Sequence, residues 1–286
     1  MSAAPQAGVG LPIRLLNVGC GDTHHPAWVN IDVAPVSPEV VVHDLRRPLP
    51  YAADTFDGLY ASHVLEHLQP PSCMRLLQEC FRILKQSGIV RIAVPDLEVI
   101  ARLYLQSLEG AMRGDSDSRM KYEWMMLELY DQATRTSSGG TMAAYIRDGM
   151  SERTAQFVAS RIGEEVIALA AGGSARQRRP LRALTRIRAA AVAMRRMLAA
   201  AGAFLFMGPE GSAALREGVF RRSGEVHHWM YDRYSLALGL AQAGFVEAKA
   251  RDADDSDIPD FDRYGLETVA GKPRKPDSLY VEARKP

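Results

Sequence analysis

Five short apolar runs mark the first hundred residues, at 13–18, 28–33, 39–42, 56–62 and 89–94. Each has the length of a buried strand, and glycine, proline or aspartate stands close to most of their ends. Between the last two runs the apolar positions change to helical spacing through Leu65, Leu68, Leu76, Leu77, Cys80, Phe81 and Leu84, interrupted at Pro70 and Pro71. That spacing predicts a turn followed by a helix, which Gly88 stops. Strands alternating with helical or loop crossovers predict a parallel sheet covered on both faces, the doubly wound α/β class.

After Pro95 the strand pattern lapses for more than a hundred residues, and helical candidates follow at 97–108, 121–130, 151–170 and 182–201. The sheet pattern resumes with a helix at 235–243, stopped by Gly244, and strands at 245–250 and 278–284. The chain is therefore expected to form a core in two pieces, 1–133 and 224–286, around an inserted helical cap at 134–223.

Composition narrows the partners. Thirty-five basic and 34 acidic residues nearly cancel, so the chain as a whole lacks the broad positive field of a nucleic-acid binder. Three cysteines, Cys20, Cys73 and Cys80, form no disulfide framework and point to a reducing compartment. The first ten residues lack the basic start and apolar core of a signal peptide, and no uninterrupted apolar stretch reaches spanning length, so a soluble cytoplasmic protein is expected. Charge is concentrated in one place. Arg176, Arg178, Arg179, Arg182, Arg186, Arg188, Arg195 and Arg196 fall in a stretch without acids, interleaved with apolar residues at helical spacing. A basic amphipathic helix over 176–198 suits peripheral contact with an anionic membrane or an acidic partner, and equally a solvated cap helix.

The candidate chemistry begins where the first strand ends. Gly19 and Gly21 let a ligand approach the backbone at the carboxyl end of a strand, where open α/β sheets bind ligands. Asp32 ends the second strand, placed to accept hydrogen bonds from both hydroxyls of a ribose, and Asp44 follows the third, where it could meet an adenine amino group. The third glycine of a dinucleotide fingerprint is absent. His63 and His67 flank Glu66, but His-x-x-Glu-His is not the His-Glu-x-x-His of a metalloprotease, so no metal is expected.

The run Leu15-Leu16-Asn17-Val18-Gly19-Cys20-Gly21, followed by Asn30-Ile31-Asp32, His43-Asp44-Leu45, Phe56-Asp57 and Ser62-His63-Val64-Leu65-Glu66-His67, resembles a class I S-adenosylmethionine-dependent methyltransferase. Leu84-Lys85-Gln86-Ser87-Gly88 is similar to the family's leucine-lysine-proline-glycine-glycine turn, with Gln86 and Ser87 as departures. Asn17 stands where many members carry an acid near the cofactor's amino group. The resemblance implies a Rossmann-like methyltransferase sheet with S-adenosylmethionine as cofactor, held by Asn17, Gly19, Cys20, Gly21, Asp32, Asp44, Leu45, Ser62 and His63.

Methyl transfer is an in-line displacement, so alignment of the acceptor and exclusion of water do most of the work. A hydroxyl acceptor gains from a base of near-neutral pKa, and His63, His227 and His228 are the candidates. The blocks Glu128-Leu129-Tyr130-Asp131-Gln132 and His228-Trp229-Met230-Tyr231-Asp232 resemble stretches of bacterial methyltransferases of saccharide and natural-product pathways. Tyr130, Asp131, Gln132, Trp229 and Tyr231 accordingly become substrate candidates, with helix capping and packing as their plainer role. O-methylation of a sugar-like or natural-product small molecule is the expectation. N- or C-methylation, and a non-catalytic methyltransferase-like binding module, are the alternatives.

Overall fold

The computed structural model describes residues 13–34, 37–163, 167 and 183–286. Leu15–Val18 (β1), Val29–Asp32 (β2), Val40–Val42 (β3), Phe56–Ser62 (β4), Leu84–Pro95 (β5), Val246–Arg251 (β6) and Ser278–Arg284 (β9) form one seven-stranded sheet ordered β3-β2-β1-β4-β5-β9-β6. The first five strands run parallel, and β9 is antiparallel to both β5 and β6. Thr268–Val269 (β7) and Lys272–Pro273 (β8) pair separately as a small hairpin. The strand order reverses about β1, with β2 and β3 on one side and β4 and β5 on the other, so a ligand crevice opens beyond the carboxyl ends of β1 and β4. This is the Rossmann-like doubly wound sheet, closed by an antiparallel edge.

Side-chain alternation explains how its two faces are covered. Leu16, Val18, Leu59, Ala61, Val90 and Ile92 pack in one core with Pro70–Ile83 (α1) and Arg233–Gln242 (α7). Helix α1 presents Cys73, Leu76, Leu77, Cys80 and Ile83 to that core, a stripe at helical spacing, and Pro70 opens it where a missing N–H costs nothing. Asp232 caps α7 in a reciprocal capping box with Ser235. The alternate residues Leu15, Tyr60 and Ile89 face the other way and pack with Trp28, Ile258, Phe261 and Leu266. The charged, loop-like tail block therefore covers this second face through its few apolar residues. One boundary differs from expectation: α1 ends at Ile83 and β5 already begins at Leu84, with Ser87 taking a positive φ of 61° to turn the strand.

Leu97–Met112 (α2), Ser116–Thr134 (α3), Gly140–Arg147 (α4) and Glu152–Ile162 (α5) share a core of their own around Ile100, Trp124, Met125, Ile146 and Val158. The helical part thus begins at Leu97 rather than at 134, because Ile100 and Trp124 bury against α4 and α5. Helix α6 spans Ala183–Arg221 and breaks at Gly208, whose φ of 70° and ψ of −168° suit only glycine, next to Pro209. Ala199 and Ala200 line the same groove as Leu215 and Val219, so the two arms fold back on each other as a hairpin. Sequence reading expects no spanning-length segment. Yet Met197–Arg221, counted across the break, is long and apolar enough to cross a membrane by length and composition alone. Arg176, Arg178, Arg179 and Arg182 lie outside the described residues, as do the side chains of Arg186, Arg188 and Arg196; Arg195 is exposed on α6.

Candidate active site

At the end of β1 the chain turns through Gly19 (φ 66°) and Gly21 (φ 53°), conformations that disfavour a side chain. A Cβ on Gly19 would stand 2.5 Å from Val64 Cγ2 and 3.4 Å from Leu45 Cδ1, whereas one on Gly21 would meet nothing within 4 Å. Gly19 is a packing requirement, and Gly21 opens onto free space. The turn is tied to β2: Gly19 and Cys20 N–H both donate to Ile31 O, and Gly21 N–H donates to Asp32 Oδ2 at 2.9 Å. Asp32 Oδ1 accepts from Ala34 N–H at 2.7 Å, so this carboxylate is oriented by backbone at the strand end. Asn17 is buried on β1, and its Nδ2 donates to Thr23 O and to Asn30 Oδ1. Its Oδ1 is buried without a partner.

A cavity of about 200 Å³ opens over this turn. Asn17, Gly19, Cys20, Gly21, Ser62 and His63 form one wall. The other wall, Glu267, Lys275, Ser278 and Tyr280 among it, comes from the returning tail and the start of β9. Burial, with Asp32 adding to it, pushes the Cys20 thiol up to about 12, so it is a packed wall group and no nucleophile. Asp44 is not part of the wall. It forms a two-pronged pair with Arg46, whose hydrogen bond to it holds its carboxyl down at about 2.

His63 sits just past β4 with a positive φ of 52°, an unfavourable conformation for a residue with a side chain. Its N–H is fixed to Ala93 O, its Nδ1 lies 3.1 Å from Glu66 Oε1, and its Nε2 lies 2.8 Å from Ser278 Oγ. Glu66 is fully buried, and neither of its carboxylate oxygens accepts a well-aligned hydrogen bond. Burial alone would raise its carboxyl, but His63, His67 and His227 outweigh that and hold it low, at about 2. His227 is buried against the His67 ring, with centroids 4.7 Å apart, and burial pulls it down to about 3. It stands behind His63 and outside the cavity wall. His228 is half-buried, and its N–H donates to Glu66 O at 2.6 Å.

The substrate candidates divide. Tyr130 and Trp229 are 55% and 51% exposed. Asp131 and Tyr231 are engaged inside the fold, which corrects the expectation that they reach an acceptor. Asp131 pairs with Arg135 and caps α4 through Thr141 N–H, while Tyr231 donates its hydroxyl to Cys73 Sγ at 3.1 Å. Gln132 contributes its backbone carbonyl, which accepts from His227 N–H. Sequence reasoning did not find Glu267, a buried wall residue. Its Oε2 accepts from Arg91, its Oε1 has no partner, and burial raises its carboxyl to about 7 against the pull of Arg91.

Residues 20–92 match the family model described as a methyltransferase domain, about a quarter of the chain. No curated protein matches. Among solved structures, the 4+2 cyclase SpnF is 28% identical over 28% of this chain and 38% of its own, with a TM-score of 0.24. A complex between the Haloferax volcanii Trm112 methyltransferase activator and a methyltransferase is 12% identical, covering 98% of this chain and 85% of that one, at a TM-score of 0.39. A SAM-dependent methyltransferase from Archaeoglobus fulgidus is 12% identical, covering 96% and 86%, at 0.37. The fold rests on the strand order above and not on these likenesses. The part of the chain that is similar to a methyltransferase domain thus carries the glycine turn from Cys20 onward and the strand ends that build the cavity.

Proposed function

We propose that the chain transfers a methyl group to a hydroxyl of a sugar-like or natural-product small molecule, with His63 as the base. The observation that carries this reading is the contact between His63 Nε2 and Ser278 Oγ in the cavity wall, 2.8 Å, with the Glu66 carboxylate 3.1 Å from Nδ1. A hydroxyl already stands where an acceptor hydroxyl would give up its proton.

The residues present fit the cofactor. The unpartnered Asn17 Oδ1 would accept from its ammonium group, the open side of Gly21 would admit it against the backbone, and Asp32 would take the ribose hydroxyls. Bound there, S-adenosylmethionine supplies an electrophilic methyl group. A proton on Nδ1, facing Glu66, leaves Nε2 free to accept. His63 Nε2 would take the proton of an acceptor hydroxyl placed against it, and the buried Glu66 carboxylate would stabilise the imidazolium formed. The test is a panel of sugar, polyol, phenol and amine acceptors assayed for S-adenosylhomocysteine release. Turnover confined to amine acceptors would replace this reading with N-methylation.

A second reading concerns the α6 hairpin, which we propose lies against an anionic membrane surface. Phe204, Leu205, Phe206 and Met207, at its turn, are 58 to 86% exposed, and the sequence leading into it carries eight arginines and no acid. An apolar wedge beside basic charge is the chemistry of interfacial binding. Cosedimentation with phosphatidylserine vesicles, lost when Phe204 and Phe206 become serine, supports it; no cosedimentation at low salt rejects it.

A further inference from the structure

Behind the cavity wall, Glu66, His67 and His227 bring a carboxylate oxygen and two imidazole nitrogens within 4.8 Å of one another. Two features separate this cluster from ordinary packing. The first is Glu66 itself: a fully buried carboxylate whose Oε1 lies 3.1 Å from His63 Nδ1, with neither oxygen accepting an aligned hydrogen bond. A buried carboxylate in that state is strongly disfavoured unless a positive charge completes it. The second is the histidines. His67 Nδ1 lies 3.4 Å from Val226 O, which leaves Nε2 turned towards Glu66 Oε1 at 4.0 Å. An imidazole oriented by a backbone carbonyl on one nitrogen and free on the other is how metal-bound histidines are usually held.

We propose that Glu66, His67 and His227 bind a divalent transition-metal cation of the zinc class. Two neutral imidazoles and one carboxylate are a donor set suited to zinc, and three protein ligands leave a fourth position open. Donors about 2 Å from a tetrahedral ion stand roughly 3.4 Å apart, so the cluster needs to contract by about an ångström. Side-chain rotation of His67, a quarter exposed, can supply much of that. His67 follows β4 and His227 lies where the chain returns from the helical part, so the ion would clasp the two ends of that long excursion. The ion would also share the Glu66 carboxylate with His63.

Sequence reading missed this site because it judged His63, Glu66 and His67 as a local motif. The structure selects a different pair of histidines, and His227 reaches the cluster only through the fold.

The test is a calorimetric titration of the chelator-treated, full-length protein with zinc, and with cobalt for its visible absorption. Neither needs a methyl acceptor, so the result is independent of the proposed reaction. The expected result is one ion per chain, a visible cobalt spectrum and a rise in Tm with zinc. His227→Ala and, separately, Glu66→Gln should each weaken binding at least tenfold. The Gln variant keeps the shape of the side chain should the alanine variant fail to fold. No saturable binding of either ion, or binding that persists unchanged in both variants, overturns the proposal.

Discussion

His63 Nε2 and Ser278 Oγ meet at 2.8 Å although 215 positions separate them in the chain. The contact joins the end of β4 to the start of β9, and it makes the late strand a wall of the site built on the first.

His63→Gln removes the base but keeps a polar side chain of similar reach. Turnover on a hydroxyl acceptor should fall by about 10²- to 10⁴-fold, the usual worth of general-base catalysis. Affinity for S-adenosylmethionine should change by less than a few-fold, so kinetics and cofactor titration run on one preparation check the assignment.

Gly19→Ala places a methyl 2.5 Å from Val64 Cγ2 at a φ of 66°. Overpacking and left-handed strain together should cost about 2 kcal/mol. A Tm lowered by several degrees in thermal unfolding is the expected reading.

Glu267 has its carboxyl raised by burial from 4.5 to about 7. A folded-state value above the unfolded one means that the native protein holds an extra proton between those pH values. Its contribution to stability is full below pH 4.5 and is lost as pH rises through about 7. Glu267→Gln should flatten that part of the profile, by on the order of 1 kcal/mol between pH 5 and pH 7.5, as read from urea midpoints.

Tyr231→Phe and Trp229→Ala should part in their effects. The first removes the buried hydrogen bond to Cys73 and should cost about 1 kcal/mol of stability. The second trims a half-exposed ring and should leave Tm within a degree or two while raising KM for the acceptor, as steady-state kinetics would show.

The strands of the parallel half were legible because each is a short apolar run ended by a turn residue, and Gly19, Gly21 and Asp32 could be placed from that alone. Local order served less well where tertiary contacts decide. Asp44 follows the expected strand, yet Arg46 two residues on takes its carboxylate. Asp131 and Tyr231 carry groups suited to recognition, and their burial depends on α4 and α1, which sequence spacing does not bring near them. Glu267 and Lys275 sit in a charged stretch whose fold-back depends on a few residues such as Ile258 and Phe261. The cap boundary was missed because α2 and α3 have ordinary helical periodicity, which does not say which core a helix joins.

The most direct test of the account is calorimetric titration with S-adenosylmethionine and S-adenosylhomocysteine, on the native chain and on Asp32→Ala. Asp32 orients the Gly21 turn and is the residue proposed to take the ribose hydroxyls. Loss of hydrogen bonds to a charged acceptor should weaken binding about 10- to 100-fold. One-to-one binding in the native chain, weakened to that extent in the variant, is the predicted result. Absence of binding to either ligand, or equal affinity in both proteins, would contradict the cofactor site described here.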